Sequence, residues 1–366
     1  FKPLPFEFER ASSATVVNKD GLIETVGNDI PRIDYSDDAN GALLLEPQRT
    51  NLIAYSEDFS NAAWAKQSVT ITSNSAISPD GSLNADKITD DSTNGAHRMT
   101  EAFTTSSTGS FTYSIFLKKG TLTTAQFQVF NSGTASSANV DLVNGTITSD
   151  GTGVDHKIEN YGNDWFKCSI SGTLSNITTT VYLYIKQKPA YIGDGDYLYA
   201  WGAQLEESSY ATSLINTQGS TVTRLFDTIP TYLDVTPLNI GNSYTLFLDA
   251  DLNVNDNNKV FGAIFNSSDV ISFSIRNNVG GIRLYNHIDS IYPLSGITSS
   301  TNKFVIRVDG NSYKVFVQGS SFSGTLTTQR DLGSLNFTGQ NTQLKINNFT
   351  IDDTALSDAE CQALVN

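Results

Sequence analysis

Acidic side chains dominate the ionisable groups of this chain, with 38 Asp and Glu against 23 Lys and Arg. Two chemistries follow from carboxylates. A pair held across a sugar can hydrolyse a glycosidic bond, and a cluster of oxygens can hold a hard cation. Acid pairs adjacent in sequence include Glu57–Asp58, Asp90–Asp91, Glu206–Glu207 and Asp352–Asp353. Neighbours on a strand point to opposite faces, so adjacency does not make a catalytic pair. His97, His156 and His287 lie in polar, turn-like contexts and read as surface residues, with no poised nucleophile beside them. His287-Ile288-Asp289 would set two groups on one strand face, yet no third ligand stands out. Cys168 and Cys361 are far apart and lack metal spacing. No Gly-rich loop precedes a helix, so phosphate cradling has no support. The expectation is a protein that is not an enzyme.

Aromatic rings rimmed by amides and carboxylates can hold sugars, because an apolar ring face offers a stacking platform. The candidates are Trp64, Trp165, Trp201, Tyr191, Tyr197, Tyr199, Tyr285 and Tyr292. Trp165 opens a strand and Trp201 lies within one, so both read as core. Tyr191, in the loop "KPAYIGDGDY" beside Asp194 and Asp196, is the preferred exposed platform. The "RLYNHIDSIYP" loop, with Tyr285, Asn286 and Tyr292, is the second choice.

The elements that would carry these groups are strands. "FTYSIFLKK" puts Phe111, Tyr113, Ile115 and Leu117 on one face and Thr112, Ser114, Phe116 and Lys118 on the other. "TAQFQVFN", "WFKCSISGTL" and "TTTVYLYIKQ" alternate likewise, with turn signals such as Asn144-Gly145 and Asp194-Gly195 between them. The fold expected is all-β: an extended N-terminal arm over 1–50, a jelly-roll-like sandwich over 51–224, and a second antiparallel sandwich over 225–366. Residues 1–50 hold too little apolar material for a core of their own and must pack on a neighbour. Within them Leu43-Leu44-Leu45 reads as a strand covered on both faces. Pro47 ends it, and Glu46 and Arg49 are placed to pair, or to hydrogen-bond free backbone groups, at the joint. One helix is expected at the C-terminus. There Ser357 and Glu360 form a capping box, and Leu356 and Cys361 a hydrophobic staple.

The net charge of −15 disfavours nucleic acid and anionic bilayers as partners. No apolar run approaches the ~20 residues needed to span a membrane, so membrane insertion is not expected. Few cysteines suit assembly in a reducing compartment.

"RIDYSDDANGALLLEPQRTNLIAYSEDFSNAAWAK", residues 32 to 66, resembles a segment of bacteriophage tail-fibre, tailspike and head-fibre proteins. The residues that carry it are Arg32, Asp34, Tyr35, Leu43 to Leu52, Tyr55 to Glu57, Phe59 and Trp64. "DYLYAWGAQLEESSYATSLINTQGSTVTR", residues 196 to 224, is similar to the end of the same module. The last third resembles concanavalin/laminin-G-like domains, with "TALSDAECQALVN" like their closing helix. The resemblance implies a fibre or spike protein at the virion surface, a homotrimer contacting other virion proteins, presenting carbohydrate-binding-like sandwiches to a host cell-surface glycan. A polysaccharide-degrading tailspike fragment and a purely structural virion decoration protein remain alternatives. Jelly-roll carbohydrate-binding domains, which the middle region resembles, often hold a structural calcium ion. By that likeness the ligands would be Glu57 or Asp58 and an acid near the last strand, Asp196 or Asp194. Ala200 and Trp201 stand where such relatives tend to carry Asp.

Overall fold

The computed structural model describes residues 7–149, 154–186, 191–229, 238–252, 303–325 and 343–366, with short pieces at 233–234, 261–264, 272–276, 281–285, 332 and 334–337. The chain is all-β with antiparallel sheets, and the one helix among the described residues is Asp358–Val365. No helix among them is long and apolar enough to cross a membrane.

Two compact units form, and each is discontinuous in sequence. One comprises Ala14–Thr25 and Arg49–Arg224; the other comprises Phe1–Ser13, Val26–Gln48 and Leu225–Asn366. Residues 1–50 are therefore not a separate arm but are divided between the units. The physical reason is the one that made an isolated arm untenable: short apolar strands bury themselves only by joining a larger sheet.

The first unit is a sandwich of two six-stranded sheets. The front sheet runs, in spatial order, Thr146–Ser149, Thr134–Asp141, Thr124–Asn131, Thr178–Tyr184, Arg98–Thr104 and Ala65–Gln67. The back sheet runs Asp155–Asn160, Trp165–Leu174, Gly109–Lys119, Tyr197–Glu206, Leu83–Asp90 and Val69–Ile77. Phe111, Tyr113, Ile115 and Leu117 of the back sheet share one buried cluster with Phe127, Val129, Val181 and Leu183 of the front sheet. The alternate residue Phe116 points the other way. It packs with Trp165, Trp201, Leu214 and the hairpin residues Val17 and Ile23 in a second cluster. All three tryptophans are buried. Asn51 explains how the chain enters this sandwich. Its side-chain amide donates to the carbonyls of Ala203 and Ile215 and accepts from the N–H groups of Ile53 and Leu205. All four bonding positions of a buried amide are thereby met.

The second unit is built on a seven-stranded sheet. Its order is Ser320–Thr325, Ser312–Val317, Lys303–Asp309, Ser243–Leu252, Leu344–Asp352, Ala42–Leu45 and Arg32–Asp34. Ala42–Leu45 is thus an interior strand, and Leu44 and Leu45 are buried. The terminal helix covers Phe247, Val305 and Phe316 with Cys361 and Val365. Its capping box forms as expected, with Ser357 and Glu360 bonded reciprocally. Glu46 bonds the fully buried Arg32 at 2.6 Å, and the Arg49 guanidinium lies over the Tyr210 ring. Arg32 also bonds Asp227, and Arg10 bonds Asp227 at 2.9 Å. Two cations and two anions close a neutral, buried quartet.

Candidate functional site

The sandwich's front sheet turns an aromatic and amide face outward. In Thr124–Asn131, Ala125, Phe127 and Val129 enter the core, so Gln126, Gln128 and Phe130 stand on the opposite face. In Thr178–Tyr184, Val181 and Leu183 point inward, so Tyr182 and Tyr184 point outward. Strand register then lines these residues up. One row reads Gln67, Arg98, Tyr184, Gln126 and Asn139 across five strands, and the next reads Thr100, Tyr182, Gln128 and Ser137. Five strands span about 19 Å at the usual inter-strand spacing.

The rows are cross-linked rather than loose. Arg98 donates through Nε to Gln67 Oε1 at 2.8 Å and through Nη1 to the Tyr184 hydroxyl at 2.7 Å. Gln126 Nε2 donates to Asn139 Oδ1 at 3.1 Å. The Tyr182 and Tyr184 rings stack with centroids 5.8 Å apart and planes 9° from parallel, and Phe130 meets Tyr182 edge-on. The Arg98 guanidinium lies 5.1 Å from the Tyr182 centroid and 5.4 Å from that of Tyr184. Gln126, Gln128 and Tyr184 are buried, at 5%, 4% and 3% exposure, so the open part of this face is Phe130 with the half-buried Tyr182 and Arg98. Such a face is pre-organised: few rotamers are lost when a ligand settles on it.

At one end of this face the chain carries an acidic cluster. His97 precedes Arg98 and is buried, in contrast to the surface position expected from its polar neighbours. Its ring packs on Tyr191 with centroids 4.4 Å apart, and Nε2 faces the Asp91 carbonyl at 3.1 Å. Tyr191, expected as an exposed loop platform, is instead half-buried in a two-residue ribbon with Asn94–Gly95. Its hydroxyl donates to Asp90 Oδ2 at 2.9 Å, and the Lys186 ammonium approaches the ring to 4.4 Å. The packing of His97 against the ring is what removes the bare platform. Asp90 Oδ1 accepts from the N–H groups of Asp194 and Gly195. Gly193 lets the loop close down, since a Cβ there would sit 2.0 Å from the Asp91 carbonyl oxygen.

Carboxylate oxygens of Asp90, Asp194 and Asp196 lie within 4.8 Å of one another. Asp196 raises the Asp194 carboxyl above the usual range, by like charge and by a shared hydrogen bond, as like-charged neighbours do. Oxygen donors of this kind suit a hard cation, with the rest of its shell drawn from carbonyls or water. Glu57 and Asp58, expected beside Asp196, belong to neither this cluster nor any other close acid trio among the described residues. Glu57 is half-buried, and its carboxyl is pushed up to about 7 by burial first and then by Asp80 and Asp86. Asp86 is raised by burial, although it accepts N–H bonds from Phe59 and Asn74. Asp58 is exposed and accepts from the N–H groups of Ser60 and Asn61. Tyr285 ends the strand Gly281–Tyr285, of which only the backbone is described, and Asn286 and Tyr292 lie outside the described residues.

The face was legible in part. "TAQFQVFN" and "TVYLY" announce two amides and two tyrosines on the faces opposite the core, yet nothing local says that these strands are neighbours. Asp90 carried no signal beyond its adjacency to Asp91. It reaches Asp194 across 104 residues.

No family model matches the chain, and no curated protein does. Among solved structures 15 chains match. One is the full extracellular region of zebrafish Gpr126/Adgrg6, at 12% identity and a TM-score of 0.26. The match covers 81% of this chain and spans 37% of that one.

Proposed function

We propose that this chain is a non-catalytic surface-attachment module of a phage fibre or spike, and that the front sheet of its sandwich binds host-surface glycan. The outward row Gln67–Arg98–Tyr184–Gln126–Asn139, flanked by Tyr182 and Gln128, is the observation that carries the reading. Rings accept the apolar faces of sugars, and amides read their hydroxyls in both donor and acceptor senses. The rigid cross-linking lowers the ordering cost of binding. The sequence resemblance to phage fibre modules supplies the setting: a virion-surface homotrimer among other virion proteins. The non-catalytic part is carried over from the sequence reading; at the acidic cluster it fits Asp90, the buried acid that ends the strand Leu83–Asp90, whose two oxygens already serve Tyr191, Asp194 and Gly195.

The test is glycan-array and whole-cell binding by the intact chain, beside Tyr182→Ala and Phe130→Ala, the two rings of the face that are not buried. Each variant is expected to weaken binding by about tenfold or more, the signature of a central aromatic contact. Unchanged melting curves would show that the sandwich stands. Binding that survives both substitutions overturns the assignment of the face. Release of reducing ends from host polysaccharide overturns its non-catalytic character.

A further inference from the structure

Among the described residues, the outward positions of the five-strand row and the row beside it hold one charged side chain, Arg98. Asp141, at the far edge of the front sheet, is already committed. Its oxygens accept from the N–H groups of Val143 and Asn144 and from Asn144 Nδ2. Arg98 is committed on one side only. Nε goes to Gln67 and Nη1 to Tyr184, and the ring pair supports the guanidinium plane. Nη2 has no partner among the described residues. A guanidinium held this firmly, half-buried on a neutral aromatic and amide surface, is a fixed receptor for a planar anion. A lysine would supply charge but not the fork.

The surroundings limit how many anions the ligand can carry. Beyond His97 lie Asp90, Asp91, Asp194 and Asp196, with the exposed Lys186 beside them. The chain as a whole carries −15. A polymer charged at every sugar would gain one contact and meet repulsion along the rest of the face.

We propose that the front sheet selects glycans carrying isolated carboxylate-bearing sugars, one acid among neutral residues, with the acid seated on Arg98. This rests on the glycan-binding reading above and names its ligand class. Arg98 is then the specificity-determining residue, while Tyr182 and Phe130 serve the neutral sugars.

A microbial glycan array containing neutral repeats, repeats with one uronic or sialic-type acid, and fully acidic polymers such as polygalacturonate is probed with the intact chain. Glycans that bind are measured again after chemical reduction of their carboxyl groups to alcohols. The expected result is preference for singly acidic repeats and a loss of about 10- to 100-fold on carboxyl reduction, the scale of a hydrogen bond to a charged group. In Arg98→Gln the native and reduced forms should bind alike, and Arg98→Lys should restore part of the difference. Equal binding of native and reduced glycan by the wild type overturns the inference while leaving the glycan-binding reading intact. So does an Arg98→Gln variant that keeps the full difference. Silence of the wild type across the whole array overturns the glycan-binding reading itself, and this inference falls with it.

Discussion

Replacing Arg32 by Met isolates the energetics of the buried quartet. Arg32, Arg10, Glu46 and Asp227 have essentially no solvent exposure. Arg32 serves two anions at once, bonding Glu46 Oε2 at 2.6 Å and also Asp227. Arg10 occupies the other oxygen of Asp227 and donates as well to the carbonyls of Ser12 and Gly27. It is thereby occupied and cannot replace Arg32 at Glu46, where Gln343 Nε2, a neutral donor, stands at 2.9 Å. Arg32→Met therefore leaves one uncompensated negative charge in a dry site. Breaking such a group costs about 3–5 kcal/mol. For a unit of this size that corresponds to a fall in melting temperature of roughly 6–20 °C. Arg32→Met combined with Glu46→Leu removes opposite charges together and leaves Arg10–Asp227 intact, so most of the loss should return. Differential scanning calorimetry gives the shift. Hydrogen exchange at Ala42–Leu45 and Leu344–Asp352, the strands beside the quartet, localises it. A single variant that costs less than about 1 kcal/mol, or a double variant no better than the single, refutes the argument that these charges are mutually dependent.

Two further outcomes follow. Glu101 is buried, its Oε2 lacks a hydrogen-bond partner, and burial pushes its carboxyl up to about 7 against one N–H bond from Ala54. Its folded value lies above the unfolded one, so the folded state holds the proton more tightly. Stability should fall as pH rises from about 4.5 to 7, by at most about 3 kcal/mol from this group. Glu101→Gln should flatten that slope in melts at pH 5 and pH 8, and a profile parallel to wild type contradicts the assignment. The Asp90–Asp194–Asp196 trio predicts that calcium raises the melting temperature over that in EDTA, and that Asp90→Asn abolishes the difference; identical melts with and without calcium dispose of the cation site.

The sequence by itself determined what alternation and capping encode. Phe111, Tyr113, Ile115 and Leu117 had to share a face, Phe116 had to leave it, and Ser357 with Glu360 had to start the terminal helix. Each of these depends on residues a few positions apart. Leu43 to Leu45 likewise announced a covered strand, because an apolar triplet has no wet face to offer. Only the tertiary structure decided which strands are neighbours. It set Tyr184 between Arg98 and Gln126, sent Glu46 to Arg32, and carried Asp90 to Asp194 and Asp196. Period two tells a side chain which face it takes but not who stands beside it, since strand order and register are fixed by burial summed over the whole sandwich.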